Sequence, residues 1–138
     1  MNKVCPVVYR RMGNALDLLA FRHPLAGLQF VKGTVEPGEP AARAAMRELR
    51  EESGLCPSTI PRHLGTRAIG DPPMPWHFYA VRIEGLPRTW DHRTADDGGH
   101  VFSFFWHPLA VDLDAQWHPM FHEALWAIRL WLPFPVEA

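Results

Sequence analysis

Cysteine is scarce in this sequence. Cys5 and Cys56 are the only two among 138 residues, and their separation gives no Cys-x-x-Cys pair. Such pairs are typical of zinc and thiol redox sites, so the sequence predicts neither kind of site at its cysteines. We expect both thiols to be buried and reduced, as is usual in the cytoplasm.

An excess of charge of one sign and long apolar runs are also missing. The formal net charge is -1 with the eight histidines counted neutral, so no bulk field favours DNA, RNA or an anionic membrane as the partner. No apolar run reaches the roughly 20 residues that span a bilayer. The apolar segment at residues 4–9 is short and is followed by Arg10 and Arg11, unlike a secretory signal. We therefore expect a soluble, cytoplasmic protein that binds neither nucleic acid polymers nor membranes.

Hydrophobic residues, in contrast, are plentiful. They make up 47% of the chain, and aromatic residues make up 12%. This content is enough for a packed core, and the length predicts a single domain over residues 1–138. The oligomeric state stays open at this point, with a homodimer among the options.

Apolar alternation and turn residues predict the order of the elements. A hairpin turn is expected at Met12-Gly13-Asn14, irregular chain at residues 57–75, and a polar loop, TWDHRTADDGGH, at residues 89–100. Proline near a helix start and glycine after a helix end set the helix bounds. Strands before and after a helix, with a second helix at the end, favour a mixed sheet between helices. The predicted strands span residues 4–10, 15–22, 28–31, 76–84 and 101–107, and the predicted helices span residues 40–54 and 118–132.

Three glutamates lie close together near the end of the first predicted helix. At about 100° per residue, Glu48, Glu51 and Glu52 share an arc of about 100°. Like charges at this spacing repel by a few tenths of a kcal/mol, and the C-terminal end of a helix also disfavours anions. A hard divalent cation such as Mg²⁺ would reverse this cost, because it prefers carboxylate oxygens and keeps water and phosphate oxygens as its other ligands.

An acidic face in solvent, paired with Arg47 and Arg50, is the alternative interpretation of these glutamates. The preceding loop favours the cation site. Gly33 and Gly38 free the backbone for a close approach, and Glu39 stands at the entrance of the helix.

The loop and helix together resemble the box of the Nudix hydrolase family. That box is Gly, five residues, Glu, seven residues, then Arg-Glu-aliphatic-x-Glu-Glu-x-Gly-aliphatic. The resemblance extends from about Val4 to Cys56 and includes the segment FFWHPL at residues 104–109. The sequence departs from the common pattern at Val31, where many members have proline. The nine fixed positions of the box are filled by Gly33, Glu39, Arg47, Glu48, Leu49, Glu51, Glu52, Gly54 and Leu55.

The resemblance implies a fold, a reaction and a set of site residues. The fold would be an α/β/α sandwich with a mixed sheet, and the reaction would be hydrolysis of a nucleoside diphosphate linked to another group. Mg²⁺ or Mn²⁺ would be bound by three carboxylates and the Gly33 carbonyl, with Glu51, Glu52 and Arg47 in the catalytic set. Arg47 and Glu39 would also orient the helix and loop. The metal ligands implied are Glu48, Glu51, Glu52 and Gly33, and the substrate-binding residues are Lys32 and Glu39.

The general base has one candidate early in the chain and a pair of candidates later in the chain. Members of the family use either a box glutamate or an acid from a later loop, which here means Glu52 or the pair Asp96 and Asp97. Solvated turn aspartates beside Gly98-Gly99 are an equal interpretation of that pair.

Several functions stay open within this resemblance. A pyrophosphohydrolase on a nucleotide, a nucleotide sugar or a dinucleoside polyphosphate leads. A catalytically silent module that binds a nucleotide and regulates a partner is the alternative, and isoprenoid diphosphate isomerisation is a third. Asp71-Pro72-Pro73 is similar to ADP-ribose-type members, whereas Lys32-Gly33 is similar to dinucleoside polyphosphate hydrolases, and neither match is complete.

Two further groups of residues have both a structural and a functional interpretation. His118 and His122 have zinc-ligand spacing, but we expect capping or surface histidines because the His-Glu-x-x-His pattern is absent. One of four aromatic residues could stack on a nucleobase, although alternation along the strand puts at least half of them in the core. These four are Trp76, Phe78, Tyr79 and Trp106.

Overall fold

The computed structural model describes residues 1–95 and 97–132, apart from the side chain of Asp97. No helix within this part of the chain has both the length and the apolar character needed to cross a membrane. The strands are β1 (Lys3–Met12), β2 (Ala15–His23), β3 (Gly27–Gln29), β4 (Gly33–Thr34), β5 (Arg62–Ile69), β6 (Met74–Arg82), β7 (Trp90–Arg93) and β8 (Val101–Pro108). The helices are α1 (Ala41–Ser53), a 3₁₀ turn (Asp97–Gly99) and α2 (Pro119–Trp131).

The strands form one mixed sheet, as predicted. Its order is β5-β6-β1-β2-β8-β7, with β3 paired to β2 and β4 paired to β1. The β1–β6 pair is parallel, and the other pairs are antiparallel. The central strands β1 and β2 are therefore hydrogen-bonded on both sides, which places them under both helices.

The two faces of the sheet are covered by different helices. Successive strand residues point to opposite faces, so Val8 and its β2 neighbour Leu19 pack with Leu49 of α1. Val7 packs on the other face, in the cluster that contains Phe121 of α2. This arrangement confirms the predicted α/β/α sandwich.

The bounds of α1 agree with the predicted capping residues. Pro40 is the extended residue just before the helix, and Gly54 ends it with φ 80°. The Gly54 N–H donates to the Arg50 carbonyl over 2.9 Å. A left-handed residue at this position favours glycine, because a side chain would be strained there.

Two strands lie where irregular chain was predicted, and both predictions were wrong. β5 lies within residues 57–75, and β7 lies within the polar loop at residues 89–100. Both are edge strands of the sheet, so most of their side chains face solvent and the apolar alternation that predicts a strand is weak. Trp90 of β7 nevertheless stacks on Phe104 of β8, with ring centroids 5.1 Å apart.

The prediction of two buried thiols is right for one cysteine only. Cys5 is completely buried in β1, whereas Cys56 is exposed. Cys56 lies in the connection between α1 and β5, three residues after the end of α1.

Candidate functional site

Strand β4 brings the loop before α1 against the start of β1. Thr34 pairs with Lys3, and Gly33 pairs with Val4. Helix α1 is anchored above them by Leu49, which is fully buried together with two alanines of the helix. The opposite face of α1, with the glutamates, is thereby held at the edge of a cleft.

The cleft has a volume of about 790 Å³. One side is formed by α1, and we call Arg47, Glu48, Glu51 and Glu52 the acidic wall. The other side comes from the sheet and its connections, and we call Lys3, His23, Gln29, Thr94 and Phe102 the sheet wall. The remaining lining residues are Ala26, Lys32, Gly33, Thr34 and Glu36.

Arg47 ties the helix to the loop. Its Nε donates to Glu39 Oε2 over 2.8 Å, and its Nη2 donates to Glu39 Oε1 over 2.9 Å and to the Thr34 carbonyl over 3.0 Å. Its Nη1 donates to Glu48 Oε1 over 3.0 Å and to Glu51 Oε2 over 3.2 Å. This hydrogen bonding lowers the pKa of Glu39 to about 2 and raises the pKa of Arg47 above its usual range. The predicted orienting role of Arg47 and Glu39 thus has a direct geometric basis.

Glu52 has one carboxylate oxygen whose hydrogen bonding is not satisfied. Its Oε2 is buried without a hydrogen-bond partner. Burial, followed by the charge of Glu48, raises the pKa of Glu52 well above its usual value, and the charge and backbone N–H of Lys32 oppose this rise only in part. A buried acceptor of this kind is costly unless a donor or a cation satisfies it.

Gly33 has no room for a side chain. A Cβ at this position would overlap the carboxyl group of Glu48. Its φ is not in the left-handed region, so glycine is needed here for close approach rather than for backbone conformation. The loop and Glu48 are therefore in direct contact.

The donor set of the acidic wall fits a hard divalent cation. Its carboxylate oxygens are the ligands that Mg²⁺ and Mn²⁺ prefer, and Glu52 Oε2 is an acceptor without a partner. Within residues 1–95 and 97–132, no three acidic, histidine or cysteine side chains converge on one metal position. Arg47 pairs with both Glu48 and Glu51 in this arrangement, so a cation would have to replace part of that pairing.

The other predicted site residues differ in whether they line the cleft. Lys32 lines the cleft, whereas Glu39 lies behind Arg47 and does not line it. The contact of Glu39 with a substrate stays a prediction. Asp96 and the side chain of Asp97 lie outside the described part of the chain, so their role as a late base also stays a prediction.

Strand β7 supports the end of α1, which sequence reasoning missed. Trp90 Nε1 donates to the Ser53 carbonyl over 3.2 Å, and His92 Nε2 lies 3.2 Å from the Glu51 carbonyl oxygen. The last carbonyls of a helix lack partners inside the helix, so these contacts fix the turn that carries Glu51 and Glu52. The only sequence signal was an aromatic residue and a histidine in a loop.

The sheet wall was also missed. Its five residues come from four strands and one connection, and no spacing in the sequence brings them together. His23 is almost fully buried, and its Nδ1 accepts a hydrogen bond from the Leu25 N–H over 3.0 Å. Its ring packs against Phe102 with centroids 5.1 Å apart. This wall offers an aromatic edge, an imidazole and an amide to a ligand.

The four aromatic residues considered for base stacking lie elsewhere. Trp76 and Phe78 are buried in the core on the α2 side, and Tyr79 packs against His63. Trp106 is covered by the Arg10 guanidinium, 4.2 Å from the ring centroid. None of these four lines the cleft.

The two histidines of α2 have structural partners. The His118 side chain caps the helix by accepting the Met120 N–H over 3.1 Å. His122 Nε2 lies 3.0 Å from the Asp114 carbonyl oxygen. The expected capping role is confirmed for His118.

Comparison with known proteins agrees with this geometry. A family model described as the NUDIX domain matches residues 2–125. The match covers most of the chain, so the protein belongs to the Nudix family, and the intact box in its folded position places it among the Nudix hydrolases.

Solved structures show the same fold at low identity. The NUDIX domain of NrtR from Shewanella oneidensis, complexed with ADP ribose, has a TM-score of 0.67 and 16% identity, over 94% of this chain and 86% of that chain. The Ap4A hydrolase of C. elegans has a TM-score of 0.63 and 19% identity, over 95% and 97% of the two chains. The pyrophosphohydrolase BsRppH of Bacillus subtilis, in an E68A mutant, has a TM-score of 0.61 and 24% identity, over 93% and 77%.

Proposed function

We propose that this protein is a metal-dependent pyrophosphohydrolase that cleaves a nucleoside diphosphate linked to another moiety. The observation that carries the proposal is the acidic wall, in which the buried Glu52 Oε2 has no hydrogen-bond partner and faces a cleft that also contains Lys32. A cation would satisfy this carboxylate oxygen, and a cation beside a lysine suits a phosphate anhydride.

The three glutamates of the acidic wall would hold the cation together with the Gly33 carbonyl. Bound there, Mg²⁺ or Mn²⁺ would neutralise charge on the phosphate oxygens and lower the pKa of the attacking water. Lys32 donates to the phosphate chain from the rim of the cleft. Arg47 holds the loop and the helix in register through its bonds to Glu39 and Thr34.

The proton of the attacking water needs an acceptor. Glu52 Oε2 is the early candidate, because it is buried in the cleft without another partner. Asp96 and Asp97 are the late candidates.

The ligand and the activity of two similar structures support a nucleotide-like substrate. One of these proteins is an Ap4A hydrolase, and another is complexed with ADP ribose. Both ligands contain a nucleoside attached to a chain of phosphates, which agrees with a cleft lined by the three glutamates of the acidic wall and by two lysines.

The test is turnover of a substrate panel with Mg²⁺ and with a chelator. The panel contains nucleoside triphosphates, ADP-ribose, dinucleoside polyphosphates and nucleotide sugars, and the readout is released phosphate or mononucleotide. We expect metal-dependent turnover of at least one substrate class. Turnover that persists in excess chelator would contradict the metal dependence.

Glu52→Gln tests the assignment within the acidic wall. The change removes the charge with little change in volume, so we expect kcat/KM to fall by more than about 100-fold, since even indirect partners of metal ligands cost 10–100-fold. Circular dichroism should show an intact fold. Glu84→Gln, at an exposed glutamate outside the cleft, is the matched control and should retain activity.

A wild-type protein that binds nucleotides and hydrolyses nothing in the panel would overturn the proposal. It would favour instead the silent, nucleotide-binding regulatory module.

A further inference from the structure

Lysine is used at only two positions in this protein, and both line the cleft. Of the fourteen basic residues, Lys3 and Lys32 are lysines and the other twelve are arginines. Both lysines are among the residues that form the cleft. A compact ammonium group is well suited to a chain of phosphates, because it acts as a point charge with three rotatable donors.

Lys3 is held in place by the loop that carries Gly33. It starts strand β1 and pairs with Thr34 of β4. Its Nζ donates to Thr34 Oγ1 over 2.7 Å, in a partly buried position. An ammonium has three N–H donors, so this hydrogen bond fixes the direction of the group without exhausting its donors.

The charged groups of the cleft act on one another. Burial and the positive charge of Lys32 lower the pKa of Lys3, and the negative charge of Glu48 has a smaller, opposite effect. Lys32 also acts on the buried Glu52. Lys3 pairs with Thr34, which follows Lys32 by two residues, so about two strand positions, or roughly 7 Å, separate the backbones that carry these two like charges. An anion that bridges both would relieve their repulsion.

We propose that Lys3 binds a third phosphate group, beyond the two phosphates that the acidic wall and Lys32 engage. The preferred substrates then contain three or more consecutive phosphates, such as nucleoside triphosphates or dinucleoside polyphosphates. The inference rests on the proposed function for its reaction, but the binding role of Lys3 is tested separately below.

The first test observes the two lysines directly. Lysine labelled with ¹³C at Cε reports on Lys3 and Lys32 while their N–H donors stay intact, and Lys3→Arg assigns the Lys3 signal. The labelled protein is titrated with inorganic pyrophosphate and with inorganic tripolyphosphate, with and without Mg²⁺. We expect tripolyphosphate to shift both lysine signals and pyrophosphate to shift mainly that of Lys32.

A Lys3 signal that tripolyphosphate leaves unmoved, or that both anions shift equally, would overturn the inference. This titration does not require turnover. If the wild-type protein hydrolyses nothing, the proposed function fails while the role of Lys3 is still decided.

The second test is substrate discrimination by Lys3→Met. We expect kcat/KM for a nucleoside triphosphate and a dinucleoside tetraphosphate to fall about tenfold or more, as for loss of one hydrogen bond to a charged group. The value for ADP-ribose should change less than about twofold, and Lys3→Arg should retain most of the preference. An equal loss for all three substrates would contradict the inference.

Two further variants separate substrate binding from folding. Arg11→Met changes an exposed cation on the same strand and should leave the discrimination unchanged. Thr34→Val removes the hydrogen bond to Lys3 Nζ, so we expect a partial loss of discrimination with a thermal unfolding midpoint close to that of the wild type. If Thr34→Val abolished turnover of all substrates alike, a general loop defect would replace the specific role.

Discussion

The two sides of the cleft are built in opposite ways. The acidic wall comes from six consecutive positions of one helix, Arg47 to Glu52, and one arginine interlocks two of its glutamates with the loop. The sheet wall collects residues from Lys3 to Phe102 that meet only because β1, β2, β3 and β8 are neighbours in the sheet. Under the proposed function, the first side would perform the hydrolysis, and the second side would recognise the particular substrate.

This difference implies separable effects of mutation. Changes in the acidic wall should reduce turnover of every substrate, because all share the phosphate anhydride. Changes in the sheet wall should alter the ranking of substrates, because under the proposed function each residue would contact a different part of the ligand.

The largest effect outside the acidic wall itself is expected for Gly33→Ala. The new Cβ would overlap the Glu48 carboxyl group, which is the end of a flexible side chain and can move away. We expect the fold to persist and kcat/KM to fall about 10–100-fold for all substrates, as for loss of a group that positions a metal ligand.

Gly65→Ala is the matched control for that change. Its Cβ would meet the Trp131 ring, on the α2 side of the sheet. We expect a lower thermal unfolding midpoint with kcat/KM retained. If Gly33→Ala instead lowered the unfolding midpoint and left activity intact, the contact with Glu48 would have no functional role.

A moderate effect is expected for Gln29→Ala in the sheet wall. Loss of one hydrogen bond to a neutral group changes binding by up to about tenfold. We expect KM to change by different factors across the substrate panel, while kcat and the dependence on Mg²⁺ concentration stay nearly constant. Gln116→Ala is the control, because the Gln116 amide contacts Asp114 outside the cleft, and it should leave both KM and kcat unchanged. A uniform fall in kcat for Gln29→Ala would contradict the separate roles of the two walls.

The smallest effect is expected on the pH dependence of stability. The folded-state pKa of Glu39 is lowered to about 2 from an ordinary value of 4.5, by its hydrogen bonds to Arg47. A carboxyl group with a lowered pKa stabilises the fold above its unfolded pKa, and this contribution is lost as the pH falls through the folded pKa. Glu39→Gln should therefore be less stable than the wild type above about pH 4.5, with a difference that disappears toward pH 2.

Thermal unfolding of both proteins in chelator, from pH 7 downward, measures this difference. Glu84→Gln is again the control, because its partner Arg82 is exposed and surface pairs contribute little. A Glu39→Gln deficit that stayed constant from pH 7 to pH 2 would show that the ion pair with Arg47 is not its cause.

The sequence predicted the sandwich because its buried elements follow simple periodicities. Both central strands alternate between two buried faces, and α1 has Pro40 before it and a left-handed Gly54 after it. The edge strands β5 and β7 were missed, since an exposed edge strand shows little apolar alternation. Hydrogen bonding to one neighbour, rather than burial, defines those strands.

Within the site, sequence reasoning found the residues that are close together along the chain. Glu48, Glu51 and Glu52 share a helix face by spacing alone. The partners of Lys3 and the position of Thr94 depend on strand register, which the sequence of a single chain did not reveal. The unpaired oxygen of Glu52 is likewise a property of the folded interior.

The accessible thiol of Cys56 has a consequence for labelling chemistry. Cys5 is completely buried and burial raises the pKa of its thiol, so a maleimide dye should attach at Cys56, two residues beyond the end cap of α1. Amine-reactive reagents would instead modify the amino terminus and the two lysines of the cleft. A fluorophore at Cys56 can therefore report on the C-terminal end of α1, which carries the acidic wall, while the cleft stays open to ligands.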